Sequence, residues 1–258
     1  MFLVQVDDQF VRPAIKGFFI DTDYNPKKLA TRIGVIKTCP IGISDDYLYD
    51  NKLSEGDEVV FSHLVCQKEN KFSETVFFCD YMHIYAKIVK GRLLPLENVL
   101  FCTPIKEDDK NIGGMVISGK VSDKRCTVHS VSDEVWKEGV QEGDVIYFTK
   151  DADYPIDIFG TTLYKMYLRN IIGIERGGEL KTFRNKLLVK NITKLGSVGG
   201  VDKIYAQSSL QKGLVIDGGK SGANTGDTVA YLNGIASIVE FKGESYSFIE
   251  DRNIKYVV

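Results

Sequence analysis

Short apolar runs set between turn residues dominate this chain. Val, Ile, Phe and Tyr fill brief stretches bounded by Gly, Asp, Asn and Ser, the pattern of β-strands. Glu58–Phe61, Asp144–Phe148 and Asp227–Leu232 are examples. Within them apolar residues fall on both parities, so each strand is expected to be covered on both faces. No long apolar pattern of period 3.6 with caps is present, and only Asp133–Lys137 is predicted as a helix, of one turn. The pattern predicts an all-β chain.

The three runs also share a position in a repeat. Each follows a Gly-Asp pair, at Gly56-Asp57, Gly143-Asp144 and Gly226-Asp227, spaced 87 and 83 residues apart. A second apolar strand follows each glycine at one distance, with Ile84, Ile171 and Ile254 all 28 residues on. Each unit opens with an apolar strand, at Phe2–Val6, Asn98–Cys102 and Lys186–Lys190. Length changes fall between that opening strand and the Gly-Asp pair, where loops tolerate them. Internal periodicity of this kind predicts tandem copies of one structural unit. The predicted domains are 1–90, 96–176 and 184–258, with Gly-containing polar boundaries at Val89–Arg92 and Glu175–Glu179. Gly before Asp suits a tight turn, because Gly takes positive φ freely and Asp can bond its own backbone.

Composition narrows the function classes. Hydrophobic content of 43% and charged content of 26% are those of a globular protein, which excludes disorder over most of the chain. Lys and Arg number 33 against 35 Asp and Glu, a formal net charge of −2, with no basic stripe. No nucleic-acid partner is expected. No apolar run is long enough for a transmembrane helix, so no membrane partner is expected. Met1–Asp8 lacks the basic region and cleavage site of a signal peptide, which predicts a cytoplasmic location. Cys39, Cys66, Cys79, Cys102 and Cys126 are scattered without a Cys-x-x-Cys pair and are expected to be free thiols. With only His63, His83 and His129 available, no zinc site is expected.

An apolar opening strand, a loop ending in Gly-Gly and three apolar residues, and a later Gly-Asp-apolar-apolar-aromatic run together resemble the chaperonin-10 (GroES-like) family. These are the co-chaperonins that cap the bacterial-type chaperonin. The middle unit carries the likeness best. Val99–Thr103 resembles the family's first strand, and Lys106–Ile112 a shortened mobile loop. Gly113-Gly114-Met115-Val116-Ile117 resembles that loop's Gly-Gly and apolar tripeptide, and Gly143–Phe148 the Gly-Asp strand. Tyr167–Ile174 resembles the closing strand that pairs with a neighbouring subunit. In the first unit Gly17-Phe18-Phe19-Ile20 keeps one Gly and three apolar residues. The third keeps Gly226-Asp227 and its closing strand, with Ile204-Tyr205 a weak counterpart of the tripeptide. The resemblance implies three tandem GroES-like β-barrels, a homo-oligomer, and a chaperonin ring bound through Gly113–Ile117 and Gly17–Ile20. It also implies terminal edges, at Phe2–Val6 and Asn253–Val258, free to pair between chains. The alternative is a structural ring or adaptor protein, as in a phage particle, that reuses the barrel for assembly; its location would then be a virion.

Nothing in the sequence argues for chemistry. Gly218-Gly219-Lys220-Ser221 lacks the first glycine of a phosphate loop, since position 214 is Leu214, and no helix start follows. Asp21–Asn25 and Asp151–Asp153 lack the Gly and Glu of a calcium loop. Alcohol dehydrogenases contain a barrel of similar fold, but the dinucleotide fingerprint they need is missing here. His83 falls where the other units carry Asn170 and Asn253, which predicts a structural hydrogen-bonding position. No catalytic residue, cofactor or metal is expected.

Overall fold

The computed structural model describes residues 1–6, 33–40, 53–106, 110–112, 115–117, 121–149, 152–192, 210–220, 222–232, 234 and 236–257. These are mostly β, in three antiparallel sheets and one ribbon, as the apolar runs predict. The first sheet holds β1 (Phe2–Gln5), β2 (Ile33–Thr38), β3 (Glu58–Phe61), β4 (Val76–Cys79), β5 (Ile84–Val89) and β6 (Arg92–Pro95). Along the chain follow β7 (Val99–Lys106), the two-stranded ribbon of β8 (Lys110–Ile112) and β9 (Met115–Ile117), and β10 (Val121–Val131). Next come β11 (Val145–Phe148), β12 (Tyr154–Ile158), β13 (Thr161–Tyr167), β14 (Ile171–Arg176) and β15 (Glu179–Thr182). The third sheet has β16 (Lys186–Asn191), β17 (Leu210–Asp217), β18 (Thr228–Leu232), β19 (Ser237–Phe241), β20 (Glu244–Glu250) and β21 (Ile254–Val257).

The sheet orders are β4-β1-β2-β3-β5-β6, β12-β13-β7-β10-β11-β14-β15 and β19-β20-β16-β17-β18-β21. Each contains one common order of five: β4-β1-β2-β3-β5, β13-β7-β10-β11-β14 and β20-β16-β17-β18-β21. Among the described residues none of the sheets closes on itself.

The repeated residues occupy matching places. Gly56, Gly143 and Gly226 have φ of 87°, 88° and 96°, where a side chain would be strained. Their N–H groups donate to the carbonyls of Ile36, Val128 and Val215 at 2.8, 2.9 and 2.9 Å. Ile84, Ile171 and Ile254 stand opposite Phe61, Phe148 and Tyr231, each just past a register shift. A 3-10 turn precedes each, at Tyr81–His83, Leu168–Asn170 and Asp251–Asn253. The strands after the Gly-Asp pairs are buried on both parities, as expected. The predicted helix is α1 (Asp133–Lys137), capped by the Ser132 side chain accepting from the Val135 N–H at 3.2 Å.

Several expectations need correction. Tyr167–Ile174 is not one strand, because the 3-10 turn Leu168–Asn170 separates β13 from β14. Nor is Phe2–Val6 a free edge. β1 lies between β4 and β2, since Phe2, Val4 and Val6 are all buried and the strand is paired along both sides. The Gly-containing stretches at Lys90-Gly91 and Gly177-Gly178 are hairpin turns, so β6 and β15 pair back onto β5 and β14.

Packing divides the chain into two compact units: residues 1–104 with 128–143 and 153–168, and residues 105–127 with 144–152 and 169–258. In the first, one core gathers Phe2, Val4, Ile36, Phe61 and Ile84. A second core there joins Val60, Tyr85 and Leu93 to Phe101, Ile156 and Leu163. In the second unit one core gathers Leu187, Val189, Val215 and Tyr231. Another joins Tyr147, Ile172 and Leu180 to Leu188, Val239 and Phe248.

Candidate functional site

The candidate contact segment of the middle repeat grows out of β7. Val99–Cys102 are buried, but Thr103–Lys106 turn outward to partial or full exposure. The chain then folds on itself as a ribbon, with Lys110, Asn111 and Ile112 opposite Ile117, Val116 and Met115. Met115–Ile117 is thus a strand, but of this ribbon and not of the seven-stranded sheet. Gly113 and Gly114 are outside the described residues, as are Gly17, Phe18, Phe19, Ile20, Ile204 and Tyr205.

A second feature is a docking face that the repeat reproduces. Phe78, Lys165 and Phe248 all stand 22 residues after their Gly-Asp glycine. Cross-strand pairing puts them opposite Leu3, Phe101 and Leu188. The strand outside them supplies Ile156 in the second repeat and Val239 in the third. In the first it shrinks to a single bridge, Lys71 to Phe77, which puts Phe72 in the matching place. In the second and third repeats this face is covered. Phe101 and Ile156 pack on Val60, Tyr85 and Leu93, while Leu188, Val239 and Phe248 pack on Tyr147, Ile172 and Leu180. In the first repeat it is open: Phe72 is 60% and Phe78 38% exposed, their rings in edge-to-face contact at 5.4 Å. The sequence reading missed this face. The shared 22-residue offset was the available signal.

Lys165 is the exception inside the face, a buried lysine where both other repeats carry Phe. Its ammonium lies 3.7, 4.5 and 5.3 Å from the ring centroids of Tyr167, Tyr85 and Tyr154. Those three ring faces offset part of its desolvation. The Tyr154 hydroxyl in turn shares a hydrogen bond with His63 Nδ1. Nothing local to His63, 91 residues away, foretold that pairing. The role expected for His83 belongs to its backbone: the His83 carbonyl accepts from Ser62 N–H, as the Asn170 carbonyl accepts from Thr149 N–H.

Other sites from the sequence take structural roles. At Gly218-Gly219 the Asp217 carboxylate accepts from Thr182 N–H and Gly219 N–H, both at 2.9 Å, and from the Thr182 hydroxyl at 3.0 Å. Burial opposes ionisation there, yet these donors hold the Asp217 carboxyl below its ordinary value. The stretch is a turn. All five cysteines are free thiols. Burial pushes the Cys79 thiol up to about 12, and the Cys39 thiol is raised for the same reason. Neither is an activated nucleophile. Among the described residues no three His, Cys, Asp or Glu are grouped to hold a metal ion, and no helix is long and apolar enough to cross a membrane. No model of a known protein family matches the chain, and no curated protein matches it.

Proposed function

We propose that the chain is a non-enzymatic assembly protein of three chaperonin-10-like barrels, acting as a co-chaperonin-like factor. Its copies join through the open face of the first repeat. The middle repeat presents Met115-Val116-Ile117 to an apolar groove of a chaperonin ring, and Gly17–Ile20 is the corresponding segment of the first. Closure of each sheet into a barrel is part of this reading. The observation that carries it is the docking face, covered in the second and third repeats and left open and aromatic in the first. The chaperonin as partner rests on the resemblance, and the placing of Met115–Ile117 in a ribbon apart from the seven-stranded sheet supports it. Binding of such a segment is weak per site and gains strength through multivalency.

The test is retention of the purified chain on an immobilised chaperonin ring with ATP. Val116→Ser with Ile117→Ser should weaken retention by roughly tenfold or more per loop. The circular dichroism spectrum and melting temperature should stay unchanged. If the intact chain is not retained, the cap reading fails. One observation favours a second reading, a structural ring or adaptor: the tripeptide is already paired to Lys110–Ile112 and has no need to order on a partner. Self-association without chaperonin binding would select it.

A further inference from the structure

Within the second compact unit, a cleft of about 500 Å³ is lined by Arg169, Arg184, Lys186 and Arg252 together with Glu250, Asp251, Ile171 and Phe183. Glu250 is already engaged, 2.7 Å from Arg252 and 3.6 Å from Lys186. Four cations and two carboxylates thus line one small volume, and the Arg184 guanidinium lies 5.5 Å from the centroid of the Phe183 ring.

The repeat explains how these cations come together. Arg169 and Arg252 hold the same position in successive repeats, the middle of the 3-10 turn, 26 residues after Gly143 and Gly226. Arg184 sits in the connection entering β16, at φ 59°. Its counterpart in the connection entering β7 is Glu97, at φ 47°. Both connections are tied alike. The Asn185 carbonyl accepts from Asp251 N–H at 3.3 Å, and the Asn98 carbonyl from Leu168 N–H at 2.8 Å. The backbone is therefore one design used twice, but the side chains differ. Where the later connection has Arg169, Arg184 and Lys186, the earlier one has Met82, Glu97 and Val99. The repeated backbone does not require the basic residues.

We infer that this cleft is a binding site for a small phosphate-bearing molecule, a compact oxyanion of at least two negative charges. Guanidinium groups match phosphate oxygens in paired hydrogen bonds, and the cleft draws three of them from separate turns. Ile171 and Phe183, both buried, add apolar side chains to the lining. The inference does not rest on the chaperonin reading.

The experiment is isothermal titration of the full chain with pyrophosphate at low salt, with ADP and citrate as parallel arms. Pyrophosphate should bind, and its affinity should fall as sodium chloride rises. Arg169→Ala with Arg184→Ala should weaken it by about tenfold or more. Glu250→Gln, which releases Lys186 and Arg252 from their carboxylate, should tighten it. This second variant adds no cavity and keeps the test open if the arginine variant folds poorly. Tighter binding of ADP than of pyrophosphate identifies a nucleotide source, while equal binding identifies the free anion. The inference is overturned if pyrophosphate shows no binding at millimolar concentration, if binding survives the double arginine change in a folded protein, or if only citrate or a polyglutamate peptide binds.

Discussion

Cys79 shows how one buried side chain ties this protein's stability to pH. It lies in β4, 1% exposed, against the core of the first sheet. Burial first, then Asp80 and Cys66, pushes its thiol from 9.0 up to about 12. The folded chain therefore keeps a proton that the unfolded chain releases above about pH 9. The stabilisation is complete below that pH and falls between pH 9 and about 12, by ~1.4 kcal/mol per pH unit. Replacing Cys79 by Ala removes this dependence, whatever its fixed packing cost. The stability difference between wild type and Cys79→Ala, measured from about pH 8 to pH 11, should therefore shrink as pH rises. Parallel curves would show that this thiol does not ionise on unfolding. Little of this was readable beforehand. The scattered cysteines predicted free thiols, but burial depends on which strands flank β4. Lys165 makes the same point, since a lysine among aromatic and aliphatic residues reads as solvent-facing until Tyr85 and Tyr154 close over it.

At the level of strands, the spacing that sequence could reveal and the spacing it could not meet in β2 and β17. From the Gly-Asp turn to the next strand every repeat keeps one length, so Ile84, Ile171 and Ile254 were recognisable as equivalents. Upstream of the turn, loop lengths differ, and a second equivalence was hidden. Gly34 and Gly213 each stand two residues before the residue whose carbonyl accepts from the turn glycine, and Cys126 holds that place in the middle repeat. The position is small because the opening strand crosses it closely. A Cβ on Gly34 would lie 2.5 Å from the Gln5 carbonyl oxygen and 2.8 Å from Val4 Cγ1; on Gly213 it would lie 2.0 Å from Val189 Cγ1. The nearest obstacle at Gly34 is backbone, which cannot rotate away. Gly34→Ala should therefore destabilise the chain by about 1–3 kcal/mol, lowering its melting temperature by several degrees. Gly56→Ala gives the contrasting case: open space surrounds its Cβ, and only the strained φ of 87° opposes it. A Gly34→Ala protein that melts with the wild type would show that β1 and β2 are less closely apposed than the structure has them.

For the whole molecule, the decisive asymmetry among the described residues is that the docking face is covered in the second and third repeats and exposed in the first. The resemblance suggested pairing at chain-terminal edges. Of those edges β1 is enclosed while β21 ends the third sheet, and the structure adds a face, because the aromatic pair Phe72 and Phe78 is exposed. In the second and third repeats the matching residues Ile156, Val239 and Phe248 are buried against a preceding repeat. In the first repeat, the partner we predict is a second copy of the chain. Burying two phenylalanine side chains is worth roughly 1.5–3 kcal/mol each, and association itself costs on the order of 4–15 kcal/mol. The expected assembly is therefore weak and concentration-dependent, unless further contacts or a ring closure reinforce it. Light scattering over a concentration series should show mass rising only toward high concentration. Phe72→Asp with Phe78→Asp should abolish that rise, with Phe72 60% and Phe78 38% exposed. Val239→Asp, at the matching but buried place, should destabilise the fold by several kcal/mol. If the double variant instead unfolds, the first-repeat face is core; if the wild type stays monomeric at high concentration, the face has another occupant.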